Sequence, residues 1–155
     1  MLKCKIYNML ENLRVDIYNR KIITDKKLDS LEDIIKEEGC LTFTRNINIL
    51  IESTCAAKGS LDAITQVENI IRDSFPIYFK TKKVIASLKE IRNKSTRDVT
   101  DLSVRIQAIE RLIQTRSYKS LDKCNEQIET LTKKYYIELG RLSVYNTMII
   151  YLGGV

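Results

Sequence analysis

Residues 121–152 read LDKCNEQIETLTKKYYIELGRLSVYNTMIIYL, and this stretch decides the fold class. Leu121, Cys124, Ile128, Leu131, Tyr135, Glu138, Leu142, Tyr145, Ile149 and Leu152 recur at alternating steps of three and four, which places them on one stripe of an α-helix. A continuous helix of this length measures roughly 50 Å at about 1.5 Å per residue. A compact bundle cannot cover so long and narrow a seam, so the helix needs a long partner. The preceding helix is the nearest one, because a connection of a few residues makes neighbours antiparallel. The same helix in a second chain is the other.

Upstream, Arg116-Ser-Tyr-Lys-Ser120 has the character of a chain reversal, with Ser120 as the N-cap of the last helix. Before it lie two further seams, Ile77, Thr81, Val84, Leu88 and Ile91, then Val99, Leu102, Ile106, Ile109 and Ile113. They are out of step by one residue across Asn93–Arg97. Such a slip marks either a local change of winding or a break between two helices, and both readings stay open. Within the last helix, Gly140 is a weak point, since glycine costs about 1 kcal/mol relative to alanine in a helix interior. Glu138, polar and on the seam, marks either a bend toward solvent or a determinant of register and partner choice.

The amino-terminal half also has helical spacing. Leu2, Ile6, Met9, Leu13 and Ile17 predict a first helix over 2–19, ended by Arg20-Lys21. A second is expected over 25–38 with Leu28, Leu31, Ile34 and Ile35 inward and Gly39 as C-terminal cap. Residues 41–58 mix β-branched and helical signals; their flanks, with Gly59 as a stop, favour a third helix. Ser60 then caps a fourth, with Leu61, Ile64, Val67, Ile70 and Ile71 inward, up to Pro76. The expected fold is therefore all-α: a small helical bundle over 1–75, followed by a long antiparallel helical hairpin of coiled-coil character over 76–155, either as two units or as one continuous domain.

Composition narrows the chemistry. The chain of 155 residues has no histidine, which removes Ser-His and Cys-His nucleophile activation, histidine-ligated metals and the usual general base near neutral pH. Cys4, Cys40, Cys55 and Cys124 form no CxxC pair, so four reduced thiols in a reducing compartment are expected rather than a zinc site. No phosphate loop, dinucleotide fingerprint, HExxH helix or calcium loop occurs. The adjacent carboxylates Glu32-Asp33 and Glu37-Glu38 fit solvated helix faces, and Tyr135 fits the seam better than a catalytic role. No catalytic residue, metal or cofactor is expected. The amino terminus lacks the pattern of a signal peptide, and no stretch has the ~18 apolar residues of a membrane span, which predicts a soluble intracellular protein.

Charge is unevenly placed. Residues 1–76 hold 11 basic and 12 acidic side chains, whereas 77–155 hold 15 and 8. The excess gathers in Lys80, Lys82, Lys83, Lys89, Arg92, Lys94 and Arg97, a basic outer face able to attract nucleic acid with strong salt dependence. The leading expectation is a non-enzymatic interaction protein that self-associates or binds a helical partner. Its expected interface is the seam residues Leu121, Ile128, Leu131, Tyr135, Glu138, Leu142, Tyr145, Ile149 and Leu152. Met148 and Ile150 lie off that seam, and either dock back on the amino-terminal helices or present a patch.

Overall fold

A computed structural model of the chain describes residues 2–30, 40–74 and 81–153. These residues form four helices, α1 (Leu2–Asp29), α2 (Cys40–Asp73), α3 (Thr81–Gln114) and α4 (Leu121–Tyr151), and no strand occurs among them. The all-α expectation holds. No helix among the described residues is long and apolar enough to cross a membrane.

Two expected helix boundaries do not exist, and a third point left open between a break and a change of winding is no break. α1 runs unbroken through Arg20-Lys21, because nothing there forbids the helix and two ion pairs one turn apart brace it, Arg20 to Asp16 at 2.6 Å and Lys21 to Asp25 at 2.5 Å. The expected second helix thus loses its first turn to α1, and its remainder from residue 31, with Gly39, lies outside the described residues. α2 passes straight through Gly59 and Ser60. Neither residue stops or caps a helix; both are used in packing against α4. The slip before Val99 is no break either, since α3 is one helix. Ser95 fills the seam four residues after Ile91 and four before Val99, and it is 5% exposed.

The break between α3 and α4 is where the sequence places it. Ser120 is the N-cap of α4, its hydroxyl accepting from the Lys123 N–H at 3.4 Å, and Arg116 takes a positive φ of 53° in the turn.

In space α2 stands between α1 and α4, and α3 lies on the other side of α4. Arg14 reaches Glu68 at 2.7 Å and Thr24 approaches Ser53, so numbers fall along α2 as they rise along α1. The buried core gathers at one end, where all four helices meet. It comprises Ile6 and Leu10 from α1, Ala63, Ile64, Val67 and Ile71 from α2, Val84 and Leu88 from α3, and Val144, Tyr145, Met148 and Ile149 from α4. Each large side chain buried there contributes about 1.5–3 kcal/mol relative to exposure. Met148 docks back into this core, while Ile150 stays 74% exposed.

Beyond the core the character changes. From residue 96 to residue 139 not one side chain is buried.

Candidate functional site

Two features could organise a site: the polar layer where α2, α3 and α4 converge, and the long uncovered surface of α3 and α4 beyond it.

The polar layer exists because two glycines let backbones touch. A Cβ on Gly59 would stand 2.7 Å from the carbonyl carbon of Ile137, and one on Gly140 2.8 Å from that of Ala56. Each glycine therefore makes room for the other helix's backbone. Next to this contact Ser60 Oγ donates to the Gly140 carbonyl oxygen at 3.1 Å. α2 and α4 run in the same direction through the crossing, with Asn48 and Glu52 beside Asn125 and Lys133 at one end and Gln66 beside Tyr145 at the other.

On the α3 side of the crossing, Ser95 Oγ donates to Glu138 Oε2 at 2.7 Å, and Arg141 donates to Glu138 and, at 3.2 Å, to Asp62. The Glu138 side chain is only 14% exposed, so these donors compensate a carboxylate that burial would otherwise penalise. Burial of Arg141 opposes its charge, yet Glu138 and Asp62 outweigh it and hold the guanidinium protonated. Tyr145 donates its hydroxyl to Gln66, and burial pushes its phenol above the usual range. A cavity of about 160 Å³ lies between Gln66, Ser95, Glu138, Arg141 and Tyr145.

The Arg141 guanidinium bridges the two carboxylates through its terminal nitrogens while its buried Nε has no hydrogen-bond partner, and the group that could act as a nucleophile, Tyr145, is held away from its anion. Cys55 is likewise pushed up by burial, which outweighs the nearby Lys133 and Lys58. Among the described residues no group of three or more acidic or cysteine side chains could hold a metal ion.

The expected interface residues divide along α4. Tyr145 and Ile149 are 2% and 3% exposed inside the chain's own core. Ile128, Leu131, Tyr135, Glu138, Leu142 and Leu152 are half-buried, and Leu121 is 42% exposed. Along the unburied stretch the α3 seam residues Val99, Leu102, Ile106, Ile109 and Ile113 are half-buried too. Outside the seam, Val104 and Leu112 are exposed at 59% and 44%. An open groove of about 720 Å³ runs between the helices on this side, lined by Arg105, Ala108, Ile109, Lys123, Gln127 and Leu131 among others.

Of the basic face, Lys82, Lys83, Lys94 and Arg97 are exposed, Lys89 and Arg92 are half-buried, and Lys80 lies outside the described residues. Arg92 is turned to the Asn93 side chain at 2.9 Å. Cys4 is exposed, Cys55 and Cys124 are half-buried, all three as free thiols, and the Cys40 side chain lies outside the described residues.

Sequence reasoning missed Ser95 as the partner of Glu138. The signal was there in the even spacing Ile91, Ser95, Val99, which carries a seam across the slip with one polar member.

No family model matches the chain, nor does any curated protein or solved structure.

Proposed function

We propose that this chain is a non-enzymatic interaction protein in which α3 and α4 form an antiparallel hairpin of coiled-coil character, whose outer half receives a helix of another chain. One observation supports it above the others: the stretch from 96 to 139 contains no buried side chain, although both of its helices present apolar seams. Here α2 flanks only one side of α4 and the seam residues stay half in water; a helix laid into the groove on the other side, beside Ala108 and Gln127, removes that apolar surface from solvent. The exposed Leu112 lies one turn beyond Ala108 on the same face of α3.

The test is a photoreactive side chain at position 108 of the full chain, activated in the cells that make it, with crosslinks read by mass spectrometry. A crosslink to a helical segment of another chain is expected. Crosslinks confined to this chain's own residues would remove the reading.

A second reading, nucleic-acid association through α3, is favoured by Lys82, Lys83, Lys94 and Arg97, which are exposed and have no ion-pair partner among the described residues. Reversing Lys82 and Lys83 should then weaken binding to a nucleic-acid probe and flatten its salt slope by about one per charge pair released.

A further inference from the structure

α1 packs on α2 with one face, on which Ile6, Leu10 and Thr24 are buried and Leu13 and Ile17 half-buried. The opposite face is not the polar surface expected of an outer helix. Val15, Tyr18 and Ile22, one turn apart, are exposed at 49%, 50% and 49%. The same face carries Glu11 one turn before this apolar triplet and Lys26 one turn after it, both exposed. Glu11 also meets Arg14 at 2.9 Å and keeps 59% of its side chain in solvent.

We propose that a second copy of this chain covers that face, with the two α1 helices antiparallel about a two-fold axis passing beside Tyr18. The pattern is self-complementary under that operation. Val15 meets Ile22 of the second copy, and Ile22 meets Val15, as an isologous contact requires. The apolar triplet spans about 10 Å and the flanking charges about 22 Å at about 1.5 Å per residue, so the axis that superposes the triplet on itself also brings Glu11 onto Lys26 twice. A parallel pair would set Glu11 on Glu11 and Lys26 on Lys26, a repulsive arrangement. The rim charges thus select orientation, and the three apolar side chains supply the affinity.

This association uses a different surface from the α3 and α4 groove and does not rest on that reading. It pairs two chains while leaving both grooves uncovered.

Sedimentation equilibrium of the full chain, from about 1 to about 100 µM, should show a monomer–dimer equilibrium. The double variant V15E/I22E should stay monomeric throughout that range, with an unchanged helical circular dichroism spectrum because neither side chain is in the core. Glu11→Lys alone places lysine on lysine at both ends and should weaken dimerisation about tenfold. Adding Lys26→Glu restores opposite charges and should recover the lost affinity, although the Arg14 contact is still broken. A wild-type chain that stays monomeric at about 100 µM overturns the proposal. So does failure of E11K/K26E to recover, or a dimer abolished by Leu112→Glu but not by V15E/I22E; that last result would leave the groove reading standing.

Discussion

The hydroxyl of Ser60 donates to the carbonyl oxygen of Gly140 at 3.1 Å, at the point where α2 and α4 meet backbone to backbone. Both residues sit inside helices, and neither acts as the cap or breaker its type suggests. The contact draws α4 close enough for Arg141 to reach Asp62 and for Tyr145 to reach Gln66.

Alanine at Gly59 or Gly140 is therefore expected to destabilise the protein. Intrinsic helix preference favours alanine by about 1 kcal/mol. The new methyl, however, would overlap the backbone of Ile137 or Ala56, which cannot move as a flexible side-chain end can. Forcing the helices apart costs about 1–3 kcal/mol or more, so a net loss is expected, with a fall in Tm of about 5 °C. A thermal melt in which Gly140→Ala gained stability would show that the crossing is looser than described.

Glu138→Ala removes the acceptor of both Ser95 and Arg141 and should cost about 2–3 kcal/mol in chemical denaturation, because donors out of water lose their partner. Replacing Ser95 by alanine as well should cost less than the sum of the two single losses, since the pair shares one hydrogen bond. Additive losses would mean that the 2.7 Å bond contributes nothing.

Stability should fall in alkaline solution, for a reason that can be signed. Burial pushes the phenols of Tyr145 and Tyr136 above the ordinary tyrosine value of about 10, so the unfolded chain gives up these protons first. Unfolding is then favoured as pH rises past 10 and through the folded values, while the contribution is fully present below 10. Denaturation midpoints should hold constant near neutral pH, begin to fall above about pH 8.5 as the unfolded Cys55 thiol ionises, and decline further beyond about pH 10. Tyr145→Phe should reduce the decline. A midpoint that rose with pH in that window would reverse the assignment.

Thiol reactivity should separate the cysteines in order of access. Cys4, exposed near the start of α1, is expected to react rapidly with a thiol reagent at neutral pH, whereas Cys55 reacts slowly because burial holds it as the neutral thiol. Time-resolved mass spectrometry of the labelled protein checks the order.

Ser120→Ala should cost about 1 kcal/mol through the lost N-cap of α4, measured by denaturant titration. The loss falls at the end of α4 away from its core residues Val144, Tyr145, Met148 and Ile149, and the unfolding transition should shift without splitting.

What the residues alone determine is the helical state and the break before the last helix. The alternation of three and four from Leu121 to Leu152, the scarcity of glycine and proline, and Ser120 are local signals, and local chemistry decides them. Interruptions were misread for the same reason. Gly59, Ser60 and Arg20-Lys21 have the types found at helix ends, but a type does not say whether a neighbouring backbone will need the space of a missing Cβ. That depends on Ile137, about 80 positions further along. Tertiary structure alone made Gly59 and Gly140 a crossing, set Ser95 against Glu138, and drew Tyr145 and Ile149 into the chain's own core. It also left the outer faces of α1 and of the α3–α4 pair in water. Periodicity tells which side chains share a stripe; only the packing of four helices tells which stripes are already covered.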